Sequence, residues 1–132
     1  MSYLLHTDTC ASMIRDVPAV RGHFALHPVG LLVSAVSLVG LEIWLLRPRT
    51  PLRHRTGYFN FQQGVTVLDL TEPIAHRAAM IDSALRTQGQ RLGLADLLIA
   101  ATALERGLTL VTHSTRRFAG VAGLTALDWA VP

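Results

Sequence analysis

Short β-type apolar runs alternate with helix-type segments along the whole chain, and this alternation constrains the fold more than any other feature. The strand-like runs are rich in Leu, Val and Thr and lie at residues 3–5, 31–36, 65–68, 108–112 and 124–127. Strands separated by helices favour a mainly parallel central sheet with helices on both faces. The sequence therefore predicts an α/β fold, in which active sites gather at the carboxyl ends of the strands.

Turn and capping residues set the expected boundaries of the helices. We predict a helix over residues 9–15 with Asp8 as its N-cap, and a second short helix that begins at Pro18 and ends near His27. The later helices are expected at the end of the 31–46 unit, over 52–63, after Thr71, and around Asp96 up to Gly107. In the helix after Thr71, one apolar stripe is predicted from Ile74, Ala78, Ile81 and Leu85.

Residues 29–46 form an apolar stretch whose only charged residue is Glu42. Its length reaches the threshold for a membrane-spanning helix. However, its first half favours a β-strand and its second half contains the glutamate, so a buried strand that runs into a buried helix explains it as well. We expect the second arrangement and no membrane association.

Composition limits the domain count and the choice of partner. The chain has 132 residues, half of them hydrophobic, which suits a single domain over residues 1–132 with one real core. All twelve basic residues are arginine, against nine acids, and the formal charge is +3. This balance mildly favours an anionic partner, because arginine makes bidentate contacts with phosphate.

Cys10 is the only cysteine, so no disulfide can form within the chain. We expect it to pack in the core rather than to act as a nucleophile, because no His and Asn pair is arranged to activate it. The N-terminus lacks the pattern of a secretory leader. A reducing, cytoplasmic location fits these features best.

Asp96 is a lone carboxylate in an otherwise apolar helical segment. A helical period places it on one stripe with Ile99, Ala100 and Ala103, so it shares a face with core residues. Burying an unpaired ion there is costly, and the carboxylate should meet a cation, a metal or hydrogen-bond donors. A simpler alternative is that it lies in the first turn, where the helix N-terminus favours negative charge.

Four segments carry motifs whose order and spacing are specific. They are Tyr3-Leu4-Leu5-His6-Thr7-Asp8-Thr9; Val33-Ser34-Ala35-Val36-Ser37; Gly93-Leu94-Ala95-Asp96 with Ile99-Ala100-Ala101; and Leu110-Val111-Thr112-His113-Ser114 with Phe118, Gly123-Leu124 and Asp128-Trp129. Together they resemble the PIN-domain proteins of the VapC toxin family over nearly the whole chain. The resemblance implies an endoribonuclease that depends on Mg²⁺ or Mn²⁺. It also implies a homodimer, and a cognate antitoxin protein that holds the toxin inactive.

The chain departs from the family pattern where the chemistry lies. The acid expected after the first strand is His6, and the glutamate expected in the third helix falls on Gly40. Glu42 comes two residues later, which is about 200° around a helix, so it should point elsewhere. Arg117 stands where some relatives carry another acid, and His113 and Ser114 replace two asparagines. Of the expected acids, only Asp96 remains in register.

The resemblance nevertheless defines a set of candidate site residues. Asp96, His6 and Asp8 are the candidates for catalysis, and Asp96, Asp8 and Glu42 are the candidates for binding a metal. We expect weak affinity for Mg²⁺ or Mn²⁺, because such a site needs about three or four carboxylates close together. Asp8 could turn in as a ligand, and a neutral His6 could coordinate a softer ion.

Two arginine groups are candidates for contact with partners. Arg116 and Arg117 could hold an RNA phosphate, although adjacent arginines on a loop are often only solvated. A second group could bind RNA or an antitoxin segment: Arg47, Arg49, Arg53 and Arg55, among Trp44, Tyr58 and Phe59.

Two functional hypotheses follow from these residues. The first is a VapC-like toxin whose nuclease activity is impaired or lost. The second is a non-catalytic module that binds RNA or an antitoxin on a PIN scaffold, and it predicts RNA retention without turnover.

Overall fold

The computed structural model describes residues 2–131, which contain five strands and six helices. The strands are β1 (Tyr3–Leu5), β2 (Leu31–Ser34), β3 (Thr66–Leu68), β4 (Thr109–Val111) and β5 (Ala126–Leu127). The helices are α1 (Thr7–Ile14), α2 (Pro18–Leu26), α3 (Ala35–Leu45), α4 (Leu52–Gln63), α5 (Glu72–Thr87) and α6 (Leu94–Arg106).

The strands form one sheet in the order β3-β2-β1-β4-β5, and every pair of neighbours is parallel. This confirms the predicted α/β fold. The strand β1 lies at the centre, where Leu4 pairs with Leu32 on one side and with Leu110 on the other. Because all strands run the same way, their carboxyl ends meet at one edge of the sheet.

The two faces of the sheet are covered by two apolar clusters. Successive strand residues point to opposite faces. Accordingly, Leu4 and Leu110 pack with α5 and α6, whereas Leu5 and Val111 pack with α1, α3 and α4. We call these two clusters the α5/α6 core and the α1/α4 core. Trp129 belongs to the α1/α4 core and is 4% exposed.

The predicted apolar stripe of α5 is confirmed, since its buried residues are Ile74, Ala78, Ile81 and Leu85. Thr71 accepts a hydrogen bond from the Ile74 amide as the N-cap of this helix. The α6 helix ends at Gly107, whose φ of 64° is the left-handed conformation that favours glycine.

The apolar stretch 29–46 is divided between strand β2 and helix α3, as the strand-then-helix alternative predicted. The predicted burial of the helix is wrong, because one side of α3 is exposed at Val39 and Ile43. Ser34 caps α3 by accepting a hydrogen bond from the Val36 amide at 3.1 Å. Within residues 2–131, no helix combines the length and the hydropathy that crossing a bilayer requires.

The start of α1 differs from the prediction. The helix begins at Thr7, with His6 in the N-cap position, so Asp8 lies in the first turn and is not the cap. The physical reason is that the Asp8 carboxylate bonds to the loop directly after β4: Oδ2 accepts from Thr112 and from the His113 amide. The sequence around Asp8 gives no sign of these contacts, because Thr112 lies 104 residues further along the chain.

Candidate functional site

The candidate site lies at the carboxyl edge of the sheet and is assembled from four separate elements. His6 directly follows β1, and Asp8 lies in the first turn of α1. Asp96 lies in the first turn of α6, and Arg117 is in the loop after β4. The parallel topology thus brings together residues that are about 90 positions apart in the chain, as the family resemblance implied.

His6 bridges the two carboxylates. Its Nε2 lies 2.8 Å from Asp96 Oδ1 and its Nδ1 lies 3.1 Å from Asp8 Oδ1. The residue is 5% exposed, and its ring packs edge-on against Phe118 with centroids 5.4 Å apart. Both ring nitrogens therefore face oxygen acceptors, which suits an imidazolium with a hydrogen on each nitrogen.

The surroundings favour the charged form of His6. Burial alone would lower its pKa, but the hydrogen bonds and charges of Asp8 and Asp96 outweigh burial and raise the pKa to about 9. The Asp8 amide also lies 3.3 Å from Nδ1, a contact that suits the neutral ring. At that pKa the imidazolium dominates near neutral pH, so Nδ1 donates to the Asp8 carboxylate instead.

Donors from the protein surround the Asp8 carboxylate. Thr112 Oγ1 and the His113 amide donate to Oδ2 at 2.9 and 3.1 Å, and Thr9 Oγ1 donates to Oδ1 at 3.1 Å. Burial raises the pKa of Asp8, but the contacts with His6, Thr112 and His113 outweigh it and hold the pKa well below its usual range. Asp8 is therefore ionised, and its oxygens are already engaged.

Asp96 meets two cations, one on each oxygen. His6 lies on Oδ1, and Arg117 Nη1 donates to Oδ2 at 2.8 Å. The hydrogen bond from His6 lowers the pKa of Asp96; burial opposes this shift, and Arg117 lowers the pKa further. The Asp96 side chain is 16% exposed. Both sequence-based explanations thus hold, since Asp96 lies in the first turn and is also paired with cations.

Gly40 faces this site. It lines a cavity of about 470 Å³ together with His6, Thr7 and Asp96, and most of the remaining wall is apolar. A Cβ at position 40 would lie 3.4 Å from Thr7 Cγ2, an ordinary contact, so a side chain fits there. The position is therefore oriented toward the site, as the expected glutamate would require.

Glu42, which was predicted as a metal ligand, lies in a different cavity from His6 and Asp96, so that prediction is wrong. Its Oε2 accepts a hydrogen bond from the Tyr58 hydroxyl at 2.7 Å. It lines a different cavity with Tyr58, Arg55 and Leu45. The reason is helical geometry, because a position two residues beyond Gly40 faces another direction.

The residues present do not fit a hard divalent cation. Between Ser2 and Val131, no set of three or more His, Cys, Asp or Glu side chains is arranged to hold a metal ion. Mg²⁺ prefers oxygen ligands. The two carboxylates here already neutralise His6 and Arg117, and the three protein donors around Asp8 would compete with any ion.

Sequence reasoning missed a second polar cluster behind the site. His113 Nε2 lies 2.8 Å from Ser12 Oγ, and His113 Nδ1 lies 2.8 Å from Asp128 Oδ1. This order of groups resembles a serine hydrolase triad. However, Ser12 is 4% exposed and lines none of the main cavities, so the cluster connects α1, β4 and the C-terminal segment rather than presenting a nucleophile. Its partners are up to 101 residues apart, which leaves no local signal.

The remaining candidates are placed as follows. Cys10 is fully buried, and burial raises the pKa of its thiol, which agrees with a packing role. Arg116 and Arg117 are exposed in the loop after β4 and line one cavity. Arg53 lines a cavity of about 650 Å³ between α1, α2 and α4.

Comparison with known proteins agrees with this architecture. The sequence profile of the PIN domain matches residues 20–124. The tRNA(fMet)-specific endonuclease VapC of Shigella flexneri is 33% identical over 131 residues, which are 98% of this chain and 99% of the relative. A VapC of the same description from Salmonella typhimurium is 28% identical over 98% of both chains.

Solved structures of VapBC complexes share the fold. DNA-bound VapBC from Salmonella typhimurium aligns with a TM-score of 0.89 and 28% identity over 98% of each chain. VapBC2 from Rickettsia felis, bound to a promoter DNA fragment, also gives a TM-score of 0.89, at 22% identity over 98% of this chain and 99% of that one. The chain therefore belongs to the PIN-domain family and, within it, to the VapC proteins.

Proposed function

We propose that this chain is the toxin member of a toxin–antitoxin pair, formed by a single PIN domain over residues 1–132, and that its metal-dependent RNA cleavage is impaired. Its VapC relatives include endonucleases, and its structural neighbours include VapBC complexes and a toxin–antitoxin complex from Klebsiella pneumoniae. We place its activity in the cytoplasm, where cellular RNA and an antitoxin are both accessible.

One observation carries the impairment: the His6 imidazolium lies between Asp8 and Asp96. A divalent cation that activates water needs about three or four acids around it. Here two carboxylates face two protein cations, His6 and Arg117, so the local charge is already balanced. Affinity for Mg²⁺ or Mn²⁺ should therefore be weak, although Asp8 and Asp96 remain the candidate ligands and His6, Asp8 and Asp96 the candidate catalytic residues.

The test is a double substitution, His6→Asp with Gly40→Glu, which restores two acids to the cavity wall. Without metal the added carboxylates repel Asp8 and Asp96, so the melting temperature should fall. Addition of Mn²⁺ should raise it again, because an ion that binds only the folded state stabilises that state. Cleavage of RNA should appear or rise with the same Mn²⁺ dependence.

The matched control is His6→Asp with Gly22→Glu, which adds the same charges but places one on α2. Gly22 has open space around it, so the glutamate fits there without contact. This control should show no gain from Mn²⁺. A folded His6→Asp, Gly40→Glu protein that neither binds Mn²⁺ nor cleaves RNA would contradict the assignment of the site.

An antitoxin segment would occupy the cavity of about 650 Å³ between α1, α2 and α4. Its wall combines apolar groups such as Ile14 and Phe61 with Arg15 and Arg53, while its one acid, Asp16, is already paired with Arg21. This combination suits an amphipathic segment with acidic residues. Leu52→Asp at its rim should abolish co-purification with the product of a neighbouring antidote-like reading frame. Met80→Asp, on exposed α5, should not.

A second copy of the chain would cover an exposed apolar face of α3 and the residue after it, which begins beside the cavity of the candidate site. Val39, Ile43 and Leu46 recur at helical spacing and are 61%, 58% and 79% exposed. An unpaired stripe of this kind is typical of an interface. Light scattering should give the mass of a homodimer for the parent chain and of a monomer for Ile43→Arg.

The saturated contacts of Asp8 also favour the alternative function, a non-catalytic RNA- or antitoxin-binding module. This alternative predicts RNA binding in EDTA without any turnover when Mn²⁺ is restored. Cleavage that survives only in the presence of Mn²⁺ would exclude it.

A further inference from the structure

Three arginines from two loops line one cavity beside the candidate site. The cavity has a volume of about 310 Å³ and is lined by Arg91 from the loop after α5 and by Arg116 and Arg117 from the loop after β4. The rest of its wall is formed by Leu85, Gln90, Ala119 and Gly120. No acid lines it, so the wall carries only positive charge.

Each of the two loops is a hydrogen-bonded turn, and the two turns touch where Gly120 meets the Gln90 side chain. The Gln90 amide bonds to the Leu85 carbonyl at 2.9 Å, and the Ala119 amide bonds to the Arg116 carbonyl at 3.2 Å. Gly120 lies directly under the Gln90 side chain, and a Cβ at this position would overlap the Gln90 amide oxygen. The cavity is therefore a cleft between two hydrogen-bonded turns that touch at Gln90 and Gly120.

The charges in this cleft are largely unpaired. Within residues 2–131, Arg91 and Arg116 have no carboxylate within 4.0 Å. Arg117 gives Nη1 to Asp96, and its side chain is still half exposed. A guanidinium stays charged at all accessible pH values and offers planar pairs of donors that match phosphate oxygens.

The cleft adjoins the site through a single ion pair. Arg117 lines the cleft, whereas Asp96 lines the cavity that holds His6 and Gly40, and the two side chains are 2.8 Å apart. A nucleic-acid strand could therefore pass from one cavity to the other across this pair.

We infer that the Arg91–Arg116–Arg117 cleft binds a backbone phosphate of single-stranded RNA directly, without a bridging divalent ion. The inference rests on the proposed function for its RNA partner. In this arrangement the arginines supply the positive charge that a metal would otherwise bring to the phosphate. The cleft would thus let the chain retain RNA even though its carboxylates are occupied.

The test measures anisotropy of a short fluorescein-labelled single-stranded RNA in EDTA over a range of salt concentrations. Arg91→Ala and Arg116→Ala should each weaken binding about 3- to 10-fold. Each should also reduce the slope of log affinity against log salt by about 0.7, the value for one lost phosphate contact on a single strand. Arg91 and Arg116 are exposed, so both variants should fold, which far-UV circular dichroism checks.

The matched control is Arg106→Ala, which removes the same charge from the last turn of α6. It lies about 15 Å along the helix axis from Asp96. It should leave the affinity nearly unchanged. Equal losses in Arg106→Ala and Arg91→Ala would overturn the proposal, because they would indicate a diffuse charge effect.

Two further measurements distinguish the ligand. RNA binding that disappears in EDTA and returns with Mn²⁺ would overturn the proposal in favour of a metal-bridged contact. Displacement of RNA by polyglutamate of equal charge at equal concentration would also overturn the proposal. The cleft would then bind carboxylates as tightly as phosphates. Chemical-shift changes at the Arg91 and Arg116 Nε–H groups on titration with inorganic phosphate would support phosphate as the group recognised.

Failure of the proposed function would give a different pattern. Efficient Mn²⁺-dependent cleavage by the parent chain would overturn the impairment and leave binding in EDTA intact. If the parent chain neither binds RNA in EDTA nor cleaves it in Mn²⁺, the RNA-binding role of the cleft is overturned, whereas the proposed impairment is not.

Discussion

His6 is buried, yet it is charged near neutral pH because two carboxylates face its two nitrogens. Desolvation of a cation is normally destabilising, and here it is offset only while both partners are ionised. The residue at the position where the family resemblance implies an acid is therefore a cation.

The stability of the fold should fall as pH rises from 6.5 to about 9. The folded pKa of His6 is raised from 6.5 to about 9, so its stabilisation is complete below 6.5 and is lost as pH passes through 9. A shift of this size corresponds to about 3 kcal/mol of unfolding free energy. Urea unfolding across this window measures it.

The control for this pH dependence is a pair of single variants. His6→Gln should lose most of the slope between pH 6.5 and 9, whereas His76→Gln, on the exposed side of α5, should keep it. An unchanged slope in His6→Gln would show that His6 is neutral in the folded protein.

Asp8, which pairs with His6, and Arg117, which pairs with Asp96, should differ in their effect on stability. Asp8→Ala removes a largely buried carboxylate that several donors need, so it should cost about 3–5 kcal/mol of unfolding free energy. Arg117→Ala removes a half-exposed partner and should cost at most about 1 kcal/mol. Chemical denaturation at neutral pH measures both losses of unfolding free energy. Equal losses would contradict the prediction that Asp8 contributes more to stability than Arg117.

At the scale of elements, the hydrogen bonds of His113 connect three parts of the chain and orient them relative to one another. It follows β4, contacts Ser12 near the end of α1, and contacts Asp128 near the C-terminal end. Its amide also donates to Asp8. The orientation of the Asp8 carboxylate thus depends on the position of the loop after β4.

His113→Ala should destabilise the protein by about 1–3 kcal/mol, because Ser12 would be left buried without its partner. The double variant with Ser12→Ala should cost less than the sum of the two single variants, since both remove the same contact. Thermal and urea unfolding of the three variants give this coupling. Strict additivity would show that the contact does not contribute.

The order of strands and helices could be predicted from the sequence, because each element has its own local pattern. The stripe of α5 and the end of α6 at Gly107 are examples. The pairing of His6 with Asp96 came only from the family resemblance, since 90 residues separate them. The position of Asp8 in α1 was mispredicted because its partners at 112 and 113 lie in the loop after β4, more than 100 residues away.

At the scale of the whole molecule, the sheet is shared by two cores. Leu4 and Leu110 contribute to the α5/α6 core, while their neighbours Leu5 and Val111 contribute to the α1/α4 core. Because the same strands anchor both clusters, neither core can lose its packing without disturbing the backbone that supports the other. This arrangement predicts one cooperative unit over the chain, as a single domain requires.

Tryptophan fluorescence tests this coupling, because Trp44 and Trp129 both pack on the α1/α4 core. Ile74→Ala lies in the other core, where it is fully buried, and should cost about 2–5 kcal/mol. In urea, the fluorescence midpoint and the far-UV circular dichroism midpoint should fall together by the same amount. Val33→Ala, within the α1/α4 core, should move both midpoints in the same way. If Ile74→Ala lowered the circular dichroism midpoint and left the tryptophan transition in place, the two cores would unfold separately and the single-domain assignment would be wrong.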